Sequence, residues 1–175
     1  YGVDALRYYL LREIPTGEDG DFSERKFIDR YNADLANGLG NFTARVLALG
    51  EKEKKVAFDF TKDLDKTVLV KIDESKLAVR QCVRDFRLHQ ALATIWELIA
   101  FGDRYLNEKK PWSLEERDVG IINHGVFNVI YILENVAKLL RPFLPDTASN
   151  ISKSIHWKEG HLIVERKANL FPRLK

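Results

Sequence analysis

Apolar residues recur every three or four positions along most of the chain, the spacing that places them on one face of an α-helix. The first such segment covers residues 3–13 and stops before Pro15, a residue that breaks helices. Leu6, Leu10 and Ile14 stand at helical spacing there. We therefore expect a helix over residues 3–13 with these three residues on its apolar face.

A second, longer helix is predicted to begin after Ser23, a good N-cap residue, and to end at Gly50. A neighbouring stripe on it is polar or small at every step: Asp34, Gly38, Asn41 and Arg45. Asn41 and Arg45 are four residues apart and therefore share one face. The apolar face of this helix is predicted to be Tyr31, Leu35, Leu39, Phe42, Val46 and Leu49.

Residues 51–73 are rich in lysine and acids and have no clear period. We expect a loop there, although the apolar runs 56–60 and 68–72 would also suit strands or the start of a helix. Helical periodicity returns from Leu77 and continues to Leu106 as one long element that stops at Pro111. Its apolar positions are Leu77, Cys82, Val83, Phe86, Leu88, Leu92, Ile95, Ile99 and Leu106.

The remaining chain predicts a helix over residues 119–140, a corner with two prolines at 141–145 and a short helix at 146–154. Residues 162–165 and 169–173 look extended. Several helices at antiparallel spacing without a convincing sheet predict an all-α fold, an antiparallel helical bundle. The glycine-rich turn at 17–21 is the one internal boundary considered, dividing the chain into residues 1–21 and 22–175.

Composition narrows the possible functions. With 45% apolar and 31% charged residues the chain is globular, and a net charge of +2 excludes a polybasic nucleic-acid binder. The single cysteine, Cys82, excludes a disulfide framework and is expected to be buried. Residues 119–133 are too short an uncharged run to span a membrane. We expect a soluble, cytoplasmic protein and, because the chain starts at Tyr1 and contains no methionine, a fragment or processed chain.

No catalytic or metal-binding pattern is found. The four histidines are scattered, and Gly38-Leu39-Gly40 lies inside a predicted helix, unlike the glycine-rich turn of a nucleotide site. A binding surface remains. Asn41 and Arg45 could read the edge of an exposed base, and Trp112, beside lysines at a helix exit, could stack on one. Each of these features taken alone is more often structural.

These residues carry a resemblance to a known family. The segment YGVDALRYYLLRE, residues 1–13, resembles the helix that follows the Lys-Met-Ser-Lys-Ser loop in methionyl-tRNA synthetases. The match continues in order at DGDFS, NADLAN, LGN up to Arg45, NEKKPW and LFPR, which cover most of the chain outside residues 51–73. The combination is specific, although GVDALR alone is shared with related class I synthetases.

The resemblance implies an anticodon-binding domain, with residues 1–21 as the end of the stem-contact region and residues 22–175 as the helical domain with an extended tail. In the family the residues matching Asn41 and Arg45 read the first anticodon base, a cytosine, and the one matching Trp112 stacks on it. Asn107 borders the same site, and Pro111 ends the helix that leads to Trp112. Phe42 and Ala44 replace a leucine and a serine common in the family, which affects packing more than recognition.

The implied partners are the anticodon stem-loop of tRNA(Met) and the catalytic domain of the parent enzyme, a methionine–tRNA ligase that uses ATP with Mg²⁺. A structural zinc elsewhere in the parent is compatible with the family, but no cofactor is expected in this fragment. The family's His-Ile-Gly-His motif is absent, so the fragment is predicted to be inactive alone. Two alternatives stay open: the corresponding domain of a valyl, isoleucyl, leucyl or cysteinyl synthetase, and a helical interaction scaffold that binds no RNA.

Overall fold

The computed structural model describes residues 1–52, 64–110, 119–158, 161–165 and 169–174, apart from the side chains of 119–123 and 161. The predicted all-α antiparallel bundle is confirmed. Its helices and strands are α1 (Val3–Glu13), α2 (Glu24–Arg30), a π-helical segment (Tyr31–Gly40), α3 (Asn41–Gly50), α4 (Lys66–Arg84), α5 (Leu88–Lys109), α6 (Val119–Leu140), α7 (Pro145–Ser152), β1 (Ile155–Lys158) and β2 (His161–Val164).

Helix α1 has the predicted bounds but the wrong predicted face. Leu6 and Leu10 are 44% and 41% exposed, whereas Tyr8 and Tyr9 are buried at 1% each. The hydroxyl of Tyr8 donates a hydrogen bond to Asp34 Oδ2 at 2.8 Å, and this partner lets the whole ring enter the core. The tyrosines therefore displace the leucines from the interior.

The second predicted helix runs from α2 through α3 with a π-helical middle. Ser23 caps its start as expected, its side chain accepting from the amide of Lys26. Within the π-helical segment the turn is wider than in an α-helix, so residues four apart stay on one buried face. The predicted core positions are confirmed, with Leu49 only partly buried: Tyr31, Leu35, Leu39, Phe42 and Val46 are all buried.

The loop predicted for residues 51–73 is partly wrong. Helix α4 begins at Lys66, and Asp65 caps it by accepting from the amide of Thr67 at 2.9 Å. The apolar run 68–72 is the first buried face of this helix, whereas the run 56–60 lies outside the described residues. Aspartate is a favoured N-cap residue, but Asp65 lies in a segment rich in charged residues, so the sequence did not identify it as the cap.

The single long element predicted to end at Pro111 is two helices. The chain turns back between α4 and α5 at Asp85–Arg87, where Phe86 adopts a left-handed backbone with φ of 56°. Leu77 and Phe86, predicted as apolar-face residues, are 68% and 70% exposed, and Val83 is 40% exposed. Cys82 is buried as predicted. The buried face of α4 is Val68, Ile72, Ser75, Val79 and Cys82.

The C-terminal part follows the prediction except for one strand. Helix α6 has the predicted bounds, and α7 ends two residues earlier than expected. Residues 155–158 were missed: they form β1, which pairs antiparallel with β2 and places Ile155 opposite Val164. The pair buries both of these side chains against the helices, so the extended segment predicted at 162–165 is one half of a hairpin.

Helix α1 is tied to the far end of the chain. Asp4 is buried, and its Oδ2 accepts from the amide of Thr147 at 2.7 Å in the first turn of α7, where the preceding Leu144 offers no capping side chain. Arg7 donates to the carbonyls of Phe143 and Pro142 at 2.8 and 3.1 Å. The first and last helices thus share one core, and the boundary near residue 21 stays a prediction.

Candidate nucleic-acid interface

Helices α3 and α5 approach each other closely at one level. Gly102 allows this approach, because a Cβ placed on it would lie 2.5 Å from Cζ of Phe42. Phe42 is fully buried in that space. The following residue on α5, Asp103, and the residue three positions along α3, Arg45, are thereby brought side by side.

Arg45 is held by two residues of α5. Its Nη1 donates to Asp103 Oδ1 and its Nη2 to Asn107 Oδ1 at 2.7 Å. Asn107 Nδ2 in turn donates to Asp103 Oδ2 at 3.4 Å, so the three side chains form a closed ring. The structure therefore brings two of the predicted site residues, Arg45 and Asn107, into direct contact.

Asp103 is a member of this ring that the sequence analysis missed. Its spacing of four from Asn107 puts both on one face of α5, a pattern that was available in the sequence. What the sequence could not show is that this face meets Arg45. The Arg45 and Asp103 side chains are 32% and 39% exposed, so the ring lies at the surface and is accessible to a ligand.

Asn41 is exposed and faces the C-terminal tail, whereas Arg45 contacts α5. It lines an open pocket of about 400 Å³ between the end of the π-helical segment and the C-terminal tail. The polar side chains around this pocket belong to Asn37, Asn41, Asn169 and Arg173, and Phe171 contributes an apolar wall. Of these, only Asn41 had been predicted as a site residue.

The tail is anchored by residues from two of the segments that carry the resemblance. The Asn32 side chain donates to the carbonyl of Leu174 at 3.2 Å and accepts from its amide at 2.9 Å. Phe171 packs edge-on against Tyr31 with ring centroids 5.8 Å apart. This anchoring explains how an extended tail comes to border the pocket beside Asn41.

The other half of the polar stripe on this helix is structural. Asp34 accepts from the hydroxyl of Tyr8 and from Arg30, and its backbone oxygen accepts from Trp96 Nε1 at 3.3 Å. Burial, reinforced by the Asp34 carboxylate, raises the pKa of Tyr8, which therefore stays protonated. Gly38 lies under the Trp96 indole. The Asn41–Arg45 end of the stripe is the part that lies at the candidate interface.

Pro111 and Trp112 lie outside the described residues. The described chain leaves α5 at Lys110, whose backbone is left-handed with φ of 43°, three residues beyond Asn107. Lys109 Nζ lies 5.5 Å from the ring centroid of Tyr105. Lys110 is therefore within one helical turn of Asn107, a member of the Arg45 ring.

The described residues form neither a metal site nor a membrane-spanning helix. No three His, Cys, Asp or Glu side chains there are grouped so as to hold a metal ion. None of the helices in the same part of the chain is both long and apolar enough to cross a lipid bilayer.

Comparison with known proteins defines the class. Residues 65–169 match the family model described as the anticodon-binding domain of tRNA ligase, and residues 1–47 match the model for class I tRNA synthetases (M). The fold is thus that of the anticodon-binding domain of a tRNA ligase.

The relatives specify which ligase. The methionine–tRNA ligase of Brucella suis is 36% identical over 157 residues, covering 86% of this chain and 30% of that protein. That of Thermotoga maritima is 34% identical over 163 residues, covering 91% and 26%. The apo methionyl-tRNA synthetase of Mycobacterium tuberculosis superposes with a TM-score of 0.85 at 27% identity, covering 99% of this chain and 39% of that one.

The chain belongs to the methionyl-tRNA synthetase family and contains its helical anticodon-binding domain. The resemblance noted in the sequence is thereby confirmed. The chain spans about a third or less of the length of the curated relatives that it matches.

Proposed function

We propose that this chain binds the anticodon stem-loop of tRNA(Met) and reads its first base, a cytosine. Asn41 and Arg45 recognise the base edge, Trp112 stacks on the base, Asn107 borders the site and Pro111 sets where Trp112 leaves α5. The observation that carries the proposal is the ring in which Asp103 and Asn107 hold Arg45, one helical turn from the exposed Asn41.

The chemistry of the two polar side chains suits a pyrimidine edge. An amide both donates and accepts, and cytosine presents an amino donor next to a ring-nitrogen acceptor, whereas uracil reverses both. A guanidinium only donates, so it matches the acceptors of cytosine and not the ring N–H of uracil. Recognition of unpaired loop bases by such edge contacts and aromatic stacking is the common mode for single-stranded RNA.

In the whole protein we assign this domain a positioning role. The parent is proposed to be a methionine–tRNA ligase that activates methionine with ATP, since a solved relative from Mycobacterium tuberculosis is described as bound by methionyl-adenylate. The domain would hold the anticodon while the distant acceptor end of the tRNA reaches the catalytic domain. Residues 1–21 would form the end of the stem-contact region, and the chain alone would not activate methionine.

The decisive experiment is a titration of the chain with stem-loops that differ only in the first anticodon base. The proposal expects the cytosine loop to bind tightest, with a preference over uracil worth about 1–3 kcal/mol, the value of one good edge contact. Preference for another base would indicate specificity like that of a related synthetase. Binding of no stem-loop at all would indicate an interaction scaffold.

A further inference from the structure

We propose that Asp103 is a positioning residue for anticodon recognition. Its carboxylate, together with Asn107, holds the guanidinium of Arg45 in one orientation and compensates its charge, so that Arg45 reads a base edge instead of attracting phosphate. This inference rests on the function proposed above and names a residue that the resemblance does not assign.

The first support is the closed geometry of the ring. Both oxygens of Asp103 are engaged, Oδ1 by Arg45 and Oδ2 by Asn107. These contacts also set the amide of Asn107, whose oxygen faces Arg45 and whose nitrogen faces the carboxylate. Hydrogen bonds between charged groups are about twice as strong as neutral ones, so the guanidinium loses much of its rotational freedom before any ligand arrives.

The second support is that the backbone beneath the ring cannot easily move. Asp103 directly follows Gly102, which lies against the buried ring of Phe42 and against Ile132 Cγ2 of α6. The distance between α3 and α5 is therefore set by the core. A carboxylate on such a rigid pair of helices holds its partner within the tolerance that base-edge recognition requires.

The third support is charge. An unpaired arginine on an RNA-binding surface binds phosphate. On single strands each phosphate contact steepens the slope of log affinity against log salt concentration by about 0.7. Such a contact strengthens all loops alike and so dilutes specificity. Pairing with Asp103, at a site that is one-third exposed, compensates the charge of Arg45 and so reduces its attraction for phosphate.

The test compares Asp103→Asn with Asp73→Asn. Asp73 is an exposed acid of α4 paired with Lys76 at 3.3 Å, so its substitution changes the charge equally at a site away from the ring. Affinities for the cytosine-first and uracil-first stem-loops are measured at two salt concentrations. Asp103→Asn is expected to lower the affinity ratio at least about threefold and to steepen the salt dependence. Asp73→Asn is expected to leave the ratio unchanged.

A double-mutant cycle then asks whether Asp103 acts through Arg45. Asp103→Ala should lower the cytosine-to-uracil ratio in the wild-type background and leave it unchanged in Arg45→Ala, with folding checked by urea denaturation. Additive effects of the two substitutions, or an Asp103→Asn variant that behaves like Asp73→Asn, would overturn the positioning role. If the wild-type chain itself shows no preference for the cytosine-first stem-loop, the proposed function is overturned instead.

Discussion

Substitution of Gly102 by alanine tests whether the contact between Gly102 and Phe42 sets the spacing of α3 and α5. The new Cβ would lie 2.5 Å from Cζ and 3.0 Å from Cε2 of Phe42, and 3.1 Å from Cγ2 of Ile132. Ordinary contacts between carbon atoms are about 3.5–4.0 Å, so the ring or the helix must move by about 1 Å. Both Phe42 and Gly102 are buried, so the overlap falls inside the core.

Two effects of opposite sign set the size of the change in stability. Overpacking of a filled core costs about 1–3 kcal/mol. Replacing glycine by alanine inside a helix returns about 1 kcal/mol. We therefore expect Gly102→Ala to lower the free energy of unfolding by about 0–2 kcal/mol. The same substitution at a helical glycine with free space around it would raise the free energy of unfolding.

The partner substitution Phe42→Leu makes the prediction sharper. Leucine at position 42 lacks the ring tip that meets the new Cβ. In the Phe42→Leu background, Gly102→Ala should therefore stabilise the protein by up to about 1 kcal/mol. Urea denaturation of the four proteins measures both effects. A stabilising Gly102→Ala in the wild-type background would refute the argument that this contact sets the helix spacing.

Four further predictions concern other residues. Trp112→Ala should weaken cytosine-first and uracil-first stem-loops alike by about 1–3 kcal/mol, because stacking tolerates any base. Asn41→Ala should instead bring the ratio of their affinities towards one, and equal losses on both loops would contradict base-edge reading. Asp4→Ala should reduce stability by about 1 kcal/mol in urea denaturation, since it uncaps α7; an unchanged midpoint would show that the cap contributes nothing. Hydrogen bonds from Thr67 lower the pKa of Asp65, so its contribution to stability is present above the ordinary aspartate pKa and is lost as pH falls through the lowered value. An Asp65→Asn variant should lose less stability than wild type over that acidic range in denaturation curves.

The positions of most helices could be predicted from local sequence alone. The proline at position 15, the capping serine at 23 and the long apolar period of residues 119–140 specify α1, α2 and α6 because these features act within one or two helical turns. The start of α4 and the break at Phe86 were harder. Asp65 stands among many other charged residues, so the sequence does not single it out as a cap. A left-handed backbone at a phenylalanine has no local sequence pattern that predicts it.

Which face of a helix is buried was decided by the tertiary structure. Leu6 and Leu10 are the more hydrophobic residues of α1, yet Tyr8 and Tyr9 occupy the core. A hydrogen-bond partner lowers the cost of burying a tyrosine hydroxyl, and for Tyr8 that partner is Asp34, which is distant in sequence. Local hydrophobicity cannot contain this information.

The candidate site divides in the same way. The spacing of Asn41 and Arg45 and of Asp103 and Asn107 places each pair on one helix face, and the sequence alone determines this. Only the tertiary structure brings Arg45 to the second pair, because the distance between α3 and α5 depends on how Phe42 fits against Gly102. Side chains that are far apart in sequence form a hydrogen-bonded ring only when the packing of the core brings their helices to that distance.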